Sequence, residues 1–182
     1  MKRQKLAKVG YLMISVVFYI IGAAYIVLPE VSPMKLCIIS GIVLIAYGVI
    51  RIIGYFSKDL YCLAFQYDLA CGLFLIVFGT VILVRSQQII PHLSIGLGAL
   101  ILLDSLLSIQ MSRDAKQFGL ETWYVILAAA IVAGVFGGVV IIGPFHTALG
   151  KHIAAGCALL AQGFKSQCVV HLTVKTVRPP QN

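Results

Sequence analysis

The chain has 182 residues, of which 60% are hydrophobic and 11% are charged, and its formal net charge is +8. Soluble domains average roughly 45–50% apolar and about 25% charged residues, so too little polar surface remains here to cover a water-facing globule. The hydrophobicity excludes a disordered chain. The long apolar blocks exclude a membrane β-barrel, whose strands alternate over about 10 residues. The composition therefore predicts an all-α membrane protein.

Six apolar stretches are long enough to cross a bilayer as helices, which takes about 20 residues. In chain order they cover residues 9–28, 36–56, 63–84, 89–109, 123–142 and 146–164. The sixth stretch is the least apolar, because it contains Lys151, His152 and Gln162. The links between stretches are too short for a second domain. We therefore expect residues 1–182 to form a single transmembrane domain that ends in a short polar tail, 171–182.

The distribution of lysine and arginine predicts the orientation in the membrane, because positively charged loops stay cytoplasmic. With the N-terminus inside, 11 of the 14 basic residues fall on the inner side. Lys35, Arg85 and Lys151 fall on the outer side. Both termini are therefore predicted to be cytoplasmic. The basic N-terminal run is typical of an anchor facing anionic lipid, and we expect no nucleic-acid partner.

Small residues recur at a fixed distance when the six stretches are aligned. The odd stretches pair Gly22 with Pro29, Gly79 with Ser86 and Gly137 with Pro144, each seven residues apart. The even stretches pair Gly41 with Gly48, Gly98 with Ser105 and Gly156 with Gly163. Both sets shift by 57 and then by 58 residues from one copy to the next. The pattern predicts three tandem two-helix repeats, at about 9–58, 63–116 and 121–170.

These small residues have two interpretations. Residues seven apart lie on nearly one helix face, where small side chains let neighbouring backbones approach closely, so they are expected to be helix-packing positions. The alternative is a pseudo-threefold bundle whose axis conducts or binds a substrate, by analogy with transporters built from repeats. The residue before the second small position of the even stretches is Tyr47, Asp104 or Gln162, and all three can form hydrogen bonds.

Charged residues within spans are costly and therefore count as functional candidates. Arg51, Asp68 and Asp104 are each predicted to lie one to two turns from the inner end of their helix, at a similar depth. We expect an ion pair of Arg51 with one aspartate that specifies assembly. A proton relay or ion site, and simple exposure at the inner interface, are the alternatives. Asp68 has no polar counterpart in the registers of Tyr11 and Ile126, which argues against a symmetric site.

Three of the four histidines, His92, His146 and His152, map to the predicted outer side. A histidine normally titrates near pH 6.5, so an acidified outer face would gain charge there. These residues are candidates for pH sensing, and the alternative is interfacial histidines without a switching role. His146 and His152 are six residues apart and have no ligand of suitable spacing beside them, so we expect no metal site.

Enzymatic activity finds no support in the sequence. The five cysteines form no C-x-x-C pair and no metal pattern; they are Cys37, Cys62, Cys71, Cys157 and Cys168. The chain contains no glycine-rich phosphate loop, and its serine, histidine and aspartate residues lack a nucleophile-elbow context. We therefore expect a non-enzymatic protein that binds no cofactor and no metal.

Three segments resemble the HdeD-like family of bacterial acid-resistance membrane proteins, which share a short repeated domain. They are residues 41–51 (GIVLIAYGVIR), residues 113–119 (RDAKQFG) ahead of Trp123, and residues 143–145 (GPF). Two positions depart from the family pattern, since Ser105 replaces a frequent glycine and the third repeat lacks the counterpart of Arg51. The resemblance implies a six-helix protein of the bacterial cytoplasmic membrane, linked to acid or stress tolerance, with no catalytic residues to transfer.

The leading hypothesis is therefore a non-enzymatic, multi-pass membrane protein of acid or stress tolerance that acts through assembly or envelope integrity. The alternative is a small transporter or channel that uses the polar residues of the even helices. The lipid bilayer is the predicted partner, together with a second copy of the chain or other membrane proteins.

Overall fold

A computed structural model describes residues 2–27, 32–56, 68–143 and 148–173, and it leaves out the side chains of residues 2–7, 33, 148 and 173 within these ranges. All regular elements in the described ranges are helical. Two short elements lie in the middle of the chain: a one-turn helix, α4 (Ser86–Ile89), and a 3-10 helix (Ile90–His92). The six long helices are α1 (Lys2–Val27), α2 (Pro33–Tyr55), α3 (Asp68–Val84), α5 (Leu93–Gln117), α6 (Trp123–Ile142) and α7 (Ala148–Thr173).

Five of the long helices are long and apolar enough to cross a membrane. The exception is α3, which is apolar but has only 17 described residues. Residues 57–67, which include the predicted start of the third span, lie outside the described part of the chain. The prediction of an all-helical protein with several helices of membrane-spanning length is confirmed.

The apolar stretches mark the spans well but misplace some helix ends. Helix α5 begins at Leu93 and continues past the predicted end at 109 to Gln117, while α7 continues past 164 to Thr173. Residues 171–173 of the predicted polar tail are therefore helical, and residues 174–182 lie outside the described ranges. The physical reason is that a helix ends where its backbone hydrogen bonding ends, and polar residues that find partners extend it beyond its apolar part.

Helix α5 ends in a glycine turn that leads into α6. Gly119 has a positive φ of 74°, and the N–H of Leu120 donates to the carbonyl of Ala115 at 3.0 Å. This is the Schellman arrangement, in which glycine avoids the strain of the left-handed conformation. Lys116 Nζ lies 4.6 Å from the ring centroid of Trp123 across the turn. The segment 113–119 thus ends one helix and contacts the first residue of the next.

The closest helix contacts link α2 with α3, α5 with α6, and α1 with α7. In the first pair a Cβ built on Gly41 would lie 3.2 Å from the Gly79 carbonyl oxygen, and one on Gly48 would lie 2.6 Å from that of Gly72. The two helices are antiparallel, because the later glycine of one faces the earlier glycine of the other. Only glycine permits backbones to approach this closely.

The other two pairs repeat this contact at corresponding positions. A Cβ on Gly98 would lie 2.9 Å from the Gly137 carbonyl oxygen, and one on Gly156 would lie 2.7 Å from that of Gly22. The second small positions also lie in the interfaces. Ser105 Cβ lies 3.3 Å from a Cβ built on Gly134, and a Cβ on Gly163 would lie 3.1 Å from the Ser15 carbonyl oxygen. All nine predicted packing residues therefore contact the partner helix.

Contacts within the predicted hairpins are weaker and unequal. Helix α1 packs against α2, and α6 packs more extensively against α7. By contrast, α3 and α5 barely approach each other along their described lengths. We call the end of the bundle where α1 begins and α7 ends the proximal end, and the other the distal end. The antiparallel pairing places the ends of α2 and α5 and the start of α3 at the proximal end as well.

Candidate functional site

Four charged side chains are buried inside this apolar bundle, and we call them the ionic cluster. They are Arg51 on α2, Asp68 on α3, Asp104 on α5 and Lys165 on α7, with exposed fractions of 7%, 4%, 8% and 1%. The two cations and two carboxylates sum to zero charge. An isolated buried charge is costly, whereas a paired and hydrogen-bonded one is tolerated. The cluster therefore meets the condition under which charges persist in a helix bundle.

Asp104 lies at the centre of the cluster and joins three helices. Its Oδ1 accepts a hydrogen bond from Arg51 Nη2, and its Oδ2 accepts from Lys165 Nζ and Gln162 Nε2. Charge-assisted hydrogen bonds of this kind are about twice as strong as neutral ones. Asp104 thereby ties α5 to α2 and α7.

Arg51 bridges both aspartates. While Nη2 contacts Asp104, Nη1 lies 3.5 Å from Asp68 Oδ1. The other carboxylate oxygen of Asp68 accepts a hydrogen bond from Tyr11 Oη. The planar guanidinium presents several donors in a fixed fork, which suits it to hold two carboxylates on two helices at once. These contacts link α1 and α3 to the helices α2, α5 and α7 that Asp104 already joins.

Tyr47 covers the cluster with an aromatic ring. Arg51 Nη2 donates to Tyr47 Oη at 2.7 Å, and Arg51 Cζ lies 4.7 Å from the ring centroid. The ring also meets Phe18 and Tyr11 edge to face, with centroids 5.2 and 6.2 Å apart. Edge-to-face pairs are a favoured aromatic geometry. Tyr47 thus couples the charged groups to the surrounding apolar core.

Helix geometry explains why these residues meet. Successive residues of a helix are turned by roughly 100° about its axis. The second small residue of each even helix faces its partner helix, so the residue before it turns toward the bundle interior. Tyr47, Asp104 and Gln162 all occupy this position. Arg51 follows Tyr47 by four residues and Lys165 follows Gln162 by three, which keeps each pair on one helix face.

The structure brings together all five polar candidates that the sequence indicated: Arg51, Asp68, Asp104, Tyr47 and Gln162. Arg51 contacts both aspartates rather than one. The predicted distance of Asp104 from the end of its helix was wrong, because α5 continues to Gln117 and places Asp104 about three and a half turns before that end. The three charges nevertheless meet at a similar depth, as expected. The error arose because the span was ended where its apolar stretch ended.

Sequence reasoning missed two members of the site, Lys165 and Tyr11. Lys165 follows the predicted sixth span, 146–164, and was counted among the basic residues of the inner side, although it lies on the same helix face as Gln162 and is fully buried. Tyr11 was aligned with Asp68 but not recognised as its partner. The usable signal for Lys165 was its spacing of three residues from an interior polar position.

The two candidate pH-sensing histidines in the described part of the chain lie away from the cluster, toward the distal end. His92 is exposed and ends the short 3-10 helix. His152 lies on α7 with its ring centroid 5.8 Å from that of Tyr25. His146 lies outside the described residues. Their proposed role in pH sensing stays a prediction.

Two cavities lie on either side of the cluster, and Tyr47, Arg51 and Asp104 line both of them. The first, which we call the proximal cavity, has about 420 Å³ of empty space including its opening. Its polar lining comprises Tyr11, Asp68, Ser108, Lys165 and Ser166 in addition to the shared residues. The second, which we call the lateral cavity, has about 650 Å³ of empty space including its mouth, and its walls are largely apolar.

A family model described as a short repeat of unknown function (DUF308) matches residues 13–84. This family contains the HdeD-like proteins. The matched segment includes Tyr47, Arg51 and Asp68, whereas Asp104 and Lys165 lie beyond it. No curated protein and no solved structure matches the chain. Over residues 13–84 the chain is thus similar to a short-repeat family of unknown function.

Proposed function

We propose that the chain is a non-enzymatic, multi-pass protein of the bacterial cytoplasmic membrane that resembles the HdeD-like proteins and contributes to acid or stress tolerance through assembly and envelope integrity. The ionic cluster is the observation that carries this proposal. Both carboxylates are occupied by cations and by phenol or amide donors of other helices. Such an arrangement suits an interhelical lock better than a general acid or base that awaits a substrate.

A lock of this kind is suited to acid conditions. Protonation of Asp104 would leave Arg51 and Lys165 facing each other without their shared counter-charge. Apolar helices surround the site and limit its contact with water. Proton uptake there is therefore opposed both by the lost ion pairs and by repulsion between the cations. We expect the bundle to stay assembled when the outer medium becomes acidic.

The proposed architecture is three tandem two-helix repeats with both termini in the cytoplasm. The corresponding glycine contacts at 41–79, 98–137 and 156–22 support the repeats, because their registers differ by 57 and 58 residues. The excess of basic residues on one side supports the orientation. Reporter proteins active only in the cytoplasm, fused in turn to each terminus, test it. We expect activity at both ends, and activity at a single end would contradict the topology.

An acid-survival assay tests the physiological role. We expect a host strain lacking the gene to survive acid challenge less well than its parent. Wild-type protein and the Gly138→Ala variant should restore survival, because a Cβ at Gly138 meets no atom within 4 Å. Asp104→Asn should fail at a matched amount of membrane-inserted protein. Equal survival of the deleted strain and its parent would overturn the acid-tolerance proposal.

A small transporter or channel is the second candidate function. It is favoured by the position of the ionic cluster between two cavities that share Tyr47, Arg51 and Asp104. Charged residues between aqueous or ligand-filled spaces are typical of substrate and proton pathways. Wild-type protein in sealed vesicles should then move protons or ions, and Asp104→Asn should change that flux. Vesicles with wild-type protein that are as tight as empty vesicles would exclude this candidate.

A further inference from the structure

The lateral cavity is lined by both α3 and α5, the two helices that barely approach each other, and the gap between them gives it a mouth on the outside of the bundle. Phe74 on α3 and Leu103 on α5 line it, and their exposed fractions are 51% and 45%. Toward the distal end the gap is closed by Phe78, whose ring lies against Gly96. In a membrane this mouth faces acyl chains rather than water, so the cavity is reached from within the bilayer.

The walls and floor of the cavity differ in polarity. The walls are formed by apolar side chains of several helices, among them Leu44, Leu75, Leu97, Leu100, Ile101 and Leu159. Tyr47, Arg51, Asp104 and Gln162 line its inner end. Apolar walls with a few polar groups at one end fit a ligand with a tail and a small headgroup.

The floor contains an acceptor without a partner. Gln162 is 3% exposed, and its Oε1 accepts no hydrogen bond from any described residue. The amide orientation follows from chemistry, because Nε2 must face the Asp104 carboxylate to which it donates. A buried acceptor left unsatisfied costs about 1–3 kcal/mol, so a donor that reached it would bind favourably.

The charge balance of the cluster selects the headgroup. Its two cations and two carboxylates already sum to zero, so an ionised headgroup would bring an uncompensated charge into a buried site. A hydroxyl group donates a hydrogen bond and stays neutral. A carboxylate has no hydrogen-bond donor for Gln162 Oε1, and its negatively charged oxygens would repel that acceptor oxygen.

We propose that the lateral cavity binds a single-chain lipid alcohol that enters from the bilayer between α3 and α5 and donates its hydroxyl hydrogen bond to Gln162 Oε1. This site goes beyond the proposed role in acid or stress tolerance and does not depend on it. The alkyl chain lies along the apolar walls, and the headgroup sits beside Tyr47 and Asp104. Binding would add a ligand contact among α3, α5 and α7.

Photolabelling of the full chain in lipid nanodiscs tests this site. The probe is dodecanol carrying a photoreactive diazirine in its chain, and peptides of α3 and α5 are expected to carry the label. Unmodified dodecanol should compete, whereas dodecane and the methyl ether of dodecanol should not. A probe ending in a carboxylate should label weakly. Equal labelling by the methyl ether or the carboxylate probe would overturn the proposal.

Two variants test the residues, and a third is a matched control. Gln162→Leu removes the acceptor and should weaken dodecanol competition roughly tenfold, the equivalent of one hydrogen bond. Leu103→Trp fills the mouth without touching the ionic cluster and should abolish labelling. Val135→Trp places the same ring at an exposed position of α6 outside the cavity and should leave labelling unchanged. Undiminished labelling of Leu103→Trp, or unchanged competition in Gln162→Leu, would refute the site.

Discussion

The helix interfaces and the interior of the bundle follow different rules. At the interfaces, the first small positions of the even and odd helices are glycine throughout, and all three pairs make the same backbone approach. In the interior, the three corresponding positions hold a phenol, a carboxylate and an amide: Tyr47, Asp104 and Gln162. The three interfaces thus repeat one kind of contact, while the interior positions differ from one another.

Electrostatics explains this difference. Three identical carboxylates close to one axis would repel each other, and three identical cations would do the same. Different residues allow donors and acceptors to pair, as Asp104 and Gln162 do. One layer nearer the proximal end, the positions that correspond to Arg51 are Ser108 and Ser166. Their small side chains line the proximal cavity. Three similar backbone contacts therefore surround a polar interior whose residues differ.

The largest expected effect comes from breaking the interior. Asp104→Asn removes the carboxylate that holds both Arg51 and Lys165 and leaves buried cations short of counter-charge. Removing one partner of a buried ion pair costs about 3–5 kcal/mol. We expect a loss of that size in the free energy of unfolding, measured in a bilayer mimetic. A loss below about 1 kcal/mol would mean that the cluster does not hold the helices together.

A smaller effect is expected from breaking one interface. A Cβ on Gly48 would lie 2.6 Å from the Gly72 carbonyl oxygen and 2.7 Å from Ile76 Cγ1, so Gly48→Ala must push α2 and α3 apart. Overpacking of this kind costs about 1–3 kcal/mol. Thermal unfolding in detergent measures the loss. Gly138→Ala is the matched control, because its Cβ meets nothing within 4 Å. Equal melting temperatures for the two variants would contradict close packing at Gly48.

The smallest effect is expected at the edge of the cluster. Tyr11→Phe removes the phenol that donates to Asp68, but Arg51 remains beside that carboxylate. We expect a loss of about 1 kcal/mol in the free energy of unfolding, in line with single hydrogen bonds in membrane proteins. Tyr19→Phe serves as the control, since its hydroxyl makes an exposed hydrogen bond to Gln167. If both variants lost the same free energy of unfolding, the hydrogen bond from Tyr11 to Asp68 would contribute no more to stability than an exposed hydrogen bond.

The helical class could be predicted from the sequence because a helix satisfies all backbone hydrogen bonds within its own segment, as lipid requires of each of the six long apolar stretches. The interior positions of Asp104 and Gln162 could be predicted as well, because the spacing of the small residues shows which helix face is turned inward. Lys165 was missed, although its spacing of three residues from Gln162 was a usable signal. Its partner Asp104 is 61 residues away, and local hydropathy assigns a lysine near the end of a stretch to water.

The lateral cavity could not be predicted from the sequence. The pattern of small residues describes how α2 meets α3 and how α5 meets α6, but it contains nothing about the distance between α3 and α5. That distance depends on how all six long helices pack together. The contrast between the close α6–α7 contact and the open α3–α5 gap therefore appears only in three dimensions.

The coupling between Asp104 and Lys165 tests the central claim most directly, because it isolates an ion pair that joins two helices through the interior. A double-mutant cycle of Asp104→Asn and Lys165→Met, measured by unfolding in a bilayer mimetic, gives this coupling energy. The double variant leaves Arg51 paired with Asp68 and restores charge balance. We predict that it loses at least about 1 kcal/mol less than the sum of the single variants. Strictly additive losses would contradict an ionic cluster that locks the bundle.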